Sequence, residues 1–196
     1  MCKYNDNRDN LDTGDIVLYS GSGPFSRLIQ FGCMSKWSHV GMVVRSNELG
    51  VVLVYQSTTI DKVKDYLDGE LKNGVQINQL SESIATYSGD VAVRRLQDYE
   101  RTPEVLQALN SLRIEYRDRP YEADKMELIK AAYDGAFGKN IPDVSTLFCS
   151  ELVAECLKVM GGHDCAIPSN EFTPEDFAKI KEFGGIKIGD IEYLKN

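Results

Sequence analysis

Several features are scarce in this 196-residue chain, and each scarcity closes off a class of function. Long hydrophobic runs are missing: stretches such as 51-VVLVY-55 are far too short to cross a bilayer. Positive charge is outweighed, with 22 Lys and Arg against 30 Asp and Glu, giving a formal net charge of −8 and a sequence pI of about 4.9. That balance repels nucleic-acid phosphates and anionic headgroups, so no nucleic-acid partner and no stable membrane insertion is expected. The five cysteines (Cys2, Cys33, Cys149, Cys156, Cys165) are odd in number and form no CxxC pair, which argues for a reduced protein. Repeats, low-complexity tracts and Pro/Gly/Ser linkers are also missing. The opening MCKYNDNRDN has no hydrophobic segment behind its charges, unlike a secretory or lipoprotein signal. The expectation is a cytoplasmic protein with a flexible N-terminal tail over 1–12 and a single domain over 13–196.

What is present suits a folded domain with one substantial core: 42% of residues are hydrophobic and 27% charged. Strand patterns run over 14-GDIVLYS-20, 39-HVGMVVR-45, 50-GVVLVYQ-56, 75-VQINQL-80, 90-DVAVRRL-96 and 186-IKIGDIEYL-194. Helices are expected over 24–33, 103–117, 124–137, 146–160 and 174–183. Thr102-Pro103 and Thr173-Pro174 supply two of the helix starts. Strands gather in the first half and helices in the second, which points to an α+β fold with a central antiparallel sheet rather than a doubly wound parallel one.

One of only two histidines, His39, opens the strand 39–45 and shares a face with Gly41, Val43 and Arg45. Gly41 leaves room for another element to approach closely. With a hairpin loop at 46–49, the numbers of facing residues sum to 95, and His39 faces Gln56. A glutamine oxygen there can accept the ring N–H and leave the second nitrogen free as a base. A hydrogen-bonded polar pair at a strand end is the plainer alternative.

The segment 143-DVSTLFCSELVAECLKVMGG-162 carries an apolar helical stripe of Leu152, Val153, Cys156 and Met160. Cys149 lies on that stripe within the first turn, after the cap candidates Asp143, Ser145 and Thr146. Helix-start N–H groups would stabilise its thiolate and could hold an oxyanion. Cys156 has the same facing without the helix start, so a buried packing role suits it, and composition alone favours that role for Cys149 too.

Taken in order, 13-TGDIVLYSG-21, 38-SHVGMVV-44, 55-YQST-58, 119-RPYE-122 and 148-FCSELV-153 resemble the permuted branch of the NlpC/P60 (papain-like) thiol hydrolase superfamily. The similarity is to its YiiX-like group, with lecithin:retinol acyltransferase as a more distant relative. In that branch the histidine strand precedes the cysteine helix, as here. The resemblance implies a papain-like domain with a central sheet or partly closed barrel packed against helices. It also implies an amide-cleaving cysteine hydrolase working through a thioester acyl-enzyme. Cys149 matches the nucleophile, His39 the general base and Gln56 the residue that orients the imidazole. Gln56 departs from the acidic residue usual in that group. Tyr121 matches a recurrent cleft position, and Ser38 and Ser150 flank the catalytic pair as substrate-binding candidates.

No cofactor and no metal are expected. Cys156, His163 and Cys165 lie close together, but C-x6-H-x-C fits no usual zinc pattern. Substrate class stays open between a small peptide or amide and an acyl ester, which the apolar stretch 25-FSRLIQFGCM-34 could greet. A binding module that has lost turnover is the non-enzymatic alternative.

Overall fold

The β-branched and aromatic runs of the first half form a sheet, and the later helices cover it. The computed structural model describes residues 3–32, 34–58, 62–120 and 147–196. Its strands are β1 (Ile16–Gly21), β2 (His39–Ser46), β3 (Val51–Thr58), β4 (Gly74–Gln79), β5 (Gly89–Arg94), β6 (Leu96–Gln97), β7 (Glu182–Phe183), β8 (Ile186–Ile188) and β9 (Glu192–Lys195). The described helices are α1 (Tyr4–Asn7), α2 (Pro24–Gly32), α3 (Leu80–Thr86), α4 (Pro103–Glu115), α5 (Leu147–Val159) and α6 (Pro174–Lys179). The expected helix 124–137, Tyr121, and the cap candidates Asp143, Ser145 and Thr146 lie outside the described residues, as do Cys2 and Cys33.

Six strands form one antiparallel sheet in the order β4-β3-β2-β1-β5-β9, and β6-β8-β7 form a small second sheet. The fold is α+β, as the segregation of strands and helices implies. Among the described residues the large sheet is open, with β4 and β9 as its edges, and does not close into a barrel.

Alternation along the strands sends two sets of side chains to opposite faces. One face carries Leu18, Val40, Met42, Tyr55 and Ile77, and it packs against Leu152, Val153, Cys156 and Leu157 of α5. Leu157 is completely buried, so Leu157→Ala would cost ~2–5 kcal/mol and loosen the helix that carries Cys149. The other face carries Val17, Tyr19, Val54 and Val93, covered by Leu80 and Ile84 of α3.

Several boundaries differ from the sequence expectation, each for a local reason. Met42 faces Tyr55 and Ser46 faces Val51, so facing residues of β2 and β3 sum to 97 rather than 95. Gly50 takes a left-handed φ of 63° and belongs to the turn, which therefore spans 47–50. The expected helix 174–183 stops at Lys179 because Glu182–Phe183 and Ile186–Ile188 pair as a hairpin. Gly184 and Gly185 supply that hairpin's left-handed residues, with φ of 52° and 92°. The expected strand 186–194 is split between the two sheets at residues 189–191.

The N-terminal stretch is also not a loose tail where it is described. Tyr4 and Leu11 are 5% and 1% exposed against the second face, and the Lys3 N–H donates to Leu194 O at 2.8 Å. Two apolar side chains in an otherwise polar segment are enough to dock it. Among the described residues, no helix is long and apolar enough to cross a membrane.

Candidate active site

His39 is the first residue of β2, held opposite Tyr19 of β1, whose ring centroid lies 5.3 Å from the imidazole. The two-residue register shift puts Gln56 diagonally across from His39 rather than directly opposite. An even shift preserves the face, and the two side chains meet: His39 Nε2 lies 2.8 Å from Gln56 Oε1.

Behind Gln56 runs a chain of buried amides. Gln56 Nε2 donates to Asn78 Oδ1 (2.8 Å), and Asn78 Nδ2 donates to Gln76 Oε1 (2.8 Å) and to the carbonyls of Val63 and Lys64 (3.1 Å each). Gln76 Nε2 ends the chain on Lys72 O at 3.0 Å. Backbone carbonyls can only accept, so they fix the orientation of each amide in turn. Gln56 must then present its oxygen to His39, and the ring must carry its proton on Nε2. Nδ1 is left with the lone pair, the form a general base needs.

The glutamine bond favours the charged ring, but burial outweighs it, and the His39 pKa is pushed down to about 4. His39 is therefore a neutral imidazole at ordinary pH.

Cys149 sits in the first turn of α5, on the sheet face that carries Val40 and Met42. Its sulfur is met by the N–H of Val40, the residue after His39, and by the N–H groups of Cys149 and Ser150. These contacts join the start of the helix to the start of β2. They do not lower the thiol pKa overall. At 4% exposure, burial dominates and pushes the thiol up to about 11. The expected thiolate stabilisation by the helix start is thus overridden, because the desolvated anion costs more than three N–H groups return. Cys149 therefore rests as a thiol and His39 as a neutral imidazole.

Ser38 and Ser150 are tied to the framework. Ser38 Oγ accepts the Gly21 N–H (3.1 Å) and lies 3.3 Å from Tyr19 O, joining β1 to the entry of β2. Ser150 Oγ donates to Phe172 O, anchoring α5 to the segment before α6. Both are buried, at 4% and 0% exposure. Cys156 is likewise buried in the core, whereas His163 is exposed, so those two do not converge. Among the described residues, no group of three or more His, Cys, Asp or Glu is placed to hold a metal ion.

Sequence reasoning missed Asn78, Gln76 and Tyr87. Tyr87 bonds Ser38 (3.5 Å) and Ser26 and lies within electrostatic reach of Cys149. The strand V-Q-I-N-Q alternates like one with a solvated polar face, yet Gln76 and Asn78 are only 2% and 0% exposed. The loop carbonyls of Val63, Lys64 and Lys72 cover that face, which strand periodicity does not reveal.

Comparison with known proteins bears on the fold and the family. One solved structure, described as metalloprotein YiiX from Escherichia coli O157:H7, is similar over 95% of this chain and 98% of its own, with a TM-score of 0.52 and 18% identity. That likeness concerns the fold. No curated protein matches the sequence. Residues 10–166 match the family described as permuted papain-like amidase enzymes, YaeF/YiiX, C92, and the chain belongs to that family.

Proposed function

We propose that this protein is a cysteine hydrolase that cleaves an amide, peptide-like bond through Cys149, His39 and Gln56. The observation that carries the reading is the 2.8 Å bond from His39 Nε2 to Gln56 Oε1 beside a sulfur that meets the Val40 N–H. Family membership supports the amidase class.

In this mechanism the thiol attacks the substrate carbonyl as His39 Nδ1 takes its proton, so charge develops only along the reaction path. The N–H groups around the sulfur turn to the oxyanion of the tetrahedral intermediate. The imidazolium gives its proton to the departing amine, leaving a thioester on Cys149. His39 then takes a proton from water, hydroxide attacks the thioester, and the acid and free thiol are released. Gln56 orients the ring and offers only a dipole to the imidazolium, so the relay through Asn78 keeps that dipole aligned. Ser38 and Ser150 hold β2 and α5 in place.

A panel of peptide p-nitroanilides and acyl p-nitrophenyl esters tests the reading against wild type, Cys149→Ala and His39→Ala. Anilide cleavage should fall by roughly 10³-fold or more in both variants. Cys149→Ala retaining turnover would contradict it. Phe31 and Met34, 80% and 91% exposed around the end of α2, favour a second reading in which an acyl ester is the substrate. Ester cleavage without anilide cleavage would select that reading. Cleavage of neither would leave a binding module.

A further inference from the structure

A cavity of about 190 Å³ lies between β3, β4, α4 and the loop at 65–67. That is smaller than a typical drug-sized site, so only a compact ligand fits. Tyr55 lines it from the face of β3 opposite Gln56, while Gln76 at the end of the amide relay borders it from β4.

Two donors in this cavity lack adequate acceptors. Tyr55 is 3% exposed, and its phenolic oxygen is buried with no hydrogen-bond partner. Such orphaned hydroxyls are uncommon in folded proteins and call for a reason. Burial holds its pKa far above the ordinary tyrosine value, so it remains an O–H donor. Arg113 places its guanidinium 5.9 Å from the centroid of the same ring. Among the described residues its side chain has one weak hydrogen bond, to Asn110 Oδ1 at 3.4 Å, and no ion pair.

Asp65 also lines the cavity, and its charge acts on Arg113 from a distance. Its oxygens, however, are engaged by the backbone: Oδ1 accepts the Leu67 and Asp68 N–H groups (2.8 and 3.4 Å) and Oδ2 the Ile77 N–H (2.9 Å). Arg117, at the rim, is occupied by Asp118 (3.5 Å) and Asp68 (3.9 Å). The floor therefore offers a cation and a hydroxyl donor, while Leu67, Val75, Ile77 and Ile114 supply apolar walls.

We propose that this cavity binds a small molecule bearing an oxyanion group, a carboxylate or a phosphate, on a short apolar body. Arg113 and the Tyr55 hydroxyl donate to the anion, and the apolar walls take the body. The chain's net charge of −8 makes such a concentrated donor pair the feature that selects the ligand, since the surface around it does not attract anions.

Calorimetric titration of the full chain tests this with N-acetyl-leucine, its neutral counterpart N-acetyl-leucinamide, and inorganic phosphate. N-acetyl-leucine should bind saturably and the amide should not. Arg113→Gln should weaken the acid about tenfold or more, and Tyr55→Phe several-fold. Tyr55→Phe removes only an unpartnered hydroxyl, so its thermal midpoint should not fall, which separates lost binding from lost folding. Phosphate binding more tightly than N-acetyl-leucine would assign the site to phosphates; the reverse order assigns it to carboxylates. The proposal is overturned if neither anion binds saturably, if the amide matches the acid, or if Arg113→Gln binds like wild type. The readout needs no turnover, so its failure would leave the hydrolase reading untouched.

Discussion

Protonating His39 should destabilise the fold, and the size of the effect can be worked from its burial. Its pKa falls from 6.5 in an unfolded chain to about 4 in place. Between those values the unfolded chain binds the extra proton and the folded chain does not, so stability is lost as pH drops below 6.5. The full difference corresponds to about 3 kcal/mol, of which about 2 kcal/mol is already lost at pH 5. The ring keeps a partly exposed edge, which makes these upper values. At a denaturant slope of ~2 kcal/mol per molar, the pH 5 loss moves the urea midpoint by about 1 M. The assay compares urea midpoints at pH 7.5 and pH 5 for wild type and His39→Gln. Asp15, whose carboxyl burial raises to about 6, contributes with the opposite sign in both proteins and cancels in the comparison. Wild type should lose more stability on acidification than the variant, by up to that margin. An identical pH dependence in both would refute the neutral, desolvated imidazole.

Substitutions at three further positions probe the same geometry. Gln56→Glu places a carboxylate against the imidazole; at ~4 Å and an effective dielectric of ~20 the attraction is ~4 kcal/mol, about three pKa units. The His39 titration followed by NMR should rise accordingly, and an unmoved titration would contradict the contact. Asn78→Leu removes the group that orients Gln56, so the ring-nitrogen NMR shifts of His39 should no longer report a single Nε2–H tautomer, whereas Asn78→Gln should restore part of it. Gly41→Ala would bring a Cβ within 2.8 Å of Val54 Cγ2 and 3.2 Å of Tyr55 O. It should cost ~1–3 kcal/mol, read as a lower thermal midpoint.

The positions of most strands and the approach of His39 to Gln56 were legible because they rest on periodicity, and the α+β class because strands and helices segregate along the chain. The hairpin register was misjudged by two residues through Gly50, yet the polar pair survived because a strand repeats every second residue. Odd errors would have lost it. Periodicity says nothing about what covers a face, so the buried Gln76–Asn78 relay and the docked N-terminal segment stayed hidden. The direction of the Cys149 pKa was also out of reach. A helix start argues for thiolate, and only the burial of the sulfur beside Val40 reverses the balance.

The most direct measurement of the central claim is the mass of the protein quenched during turnover of p-nitrophenyl acetate. The account predicts an added acetyl group mapped to Cys149, absent in Cys149→Ala and formed far more slowly in His39→Ala. An acetyl group carried elsewhere, or one that forms on Cys149 equally fast without His39, would contradict it.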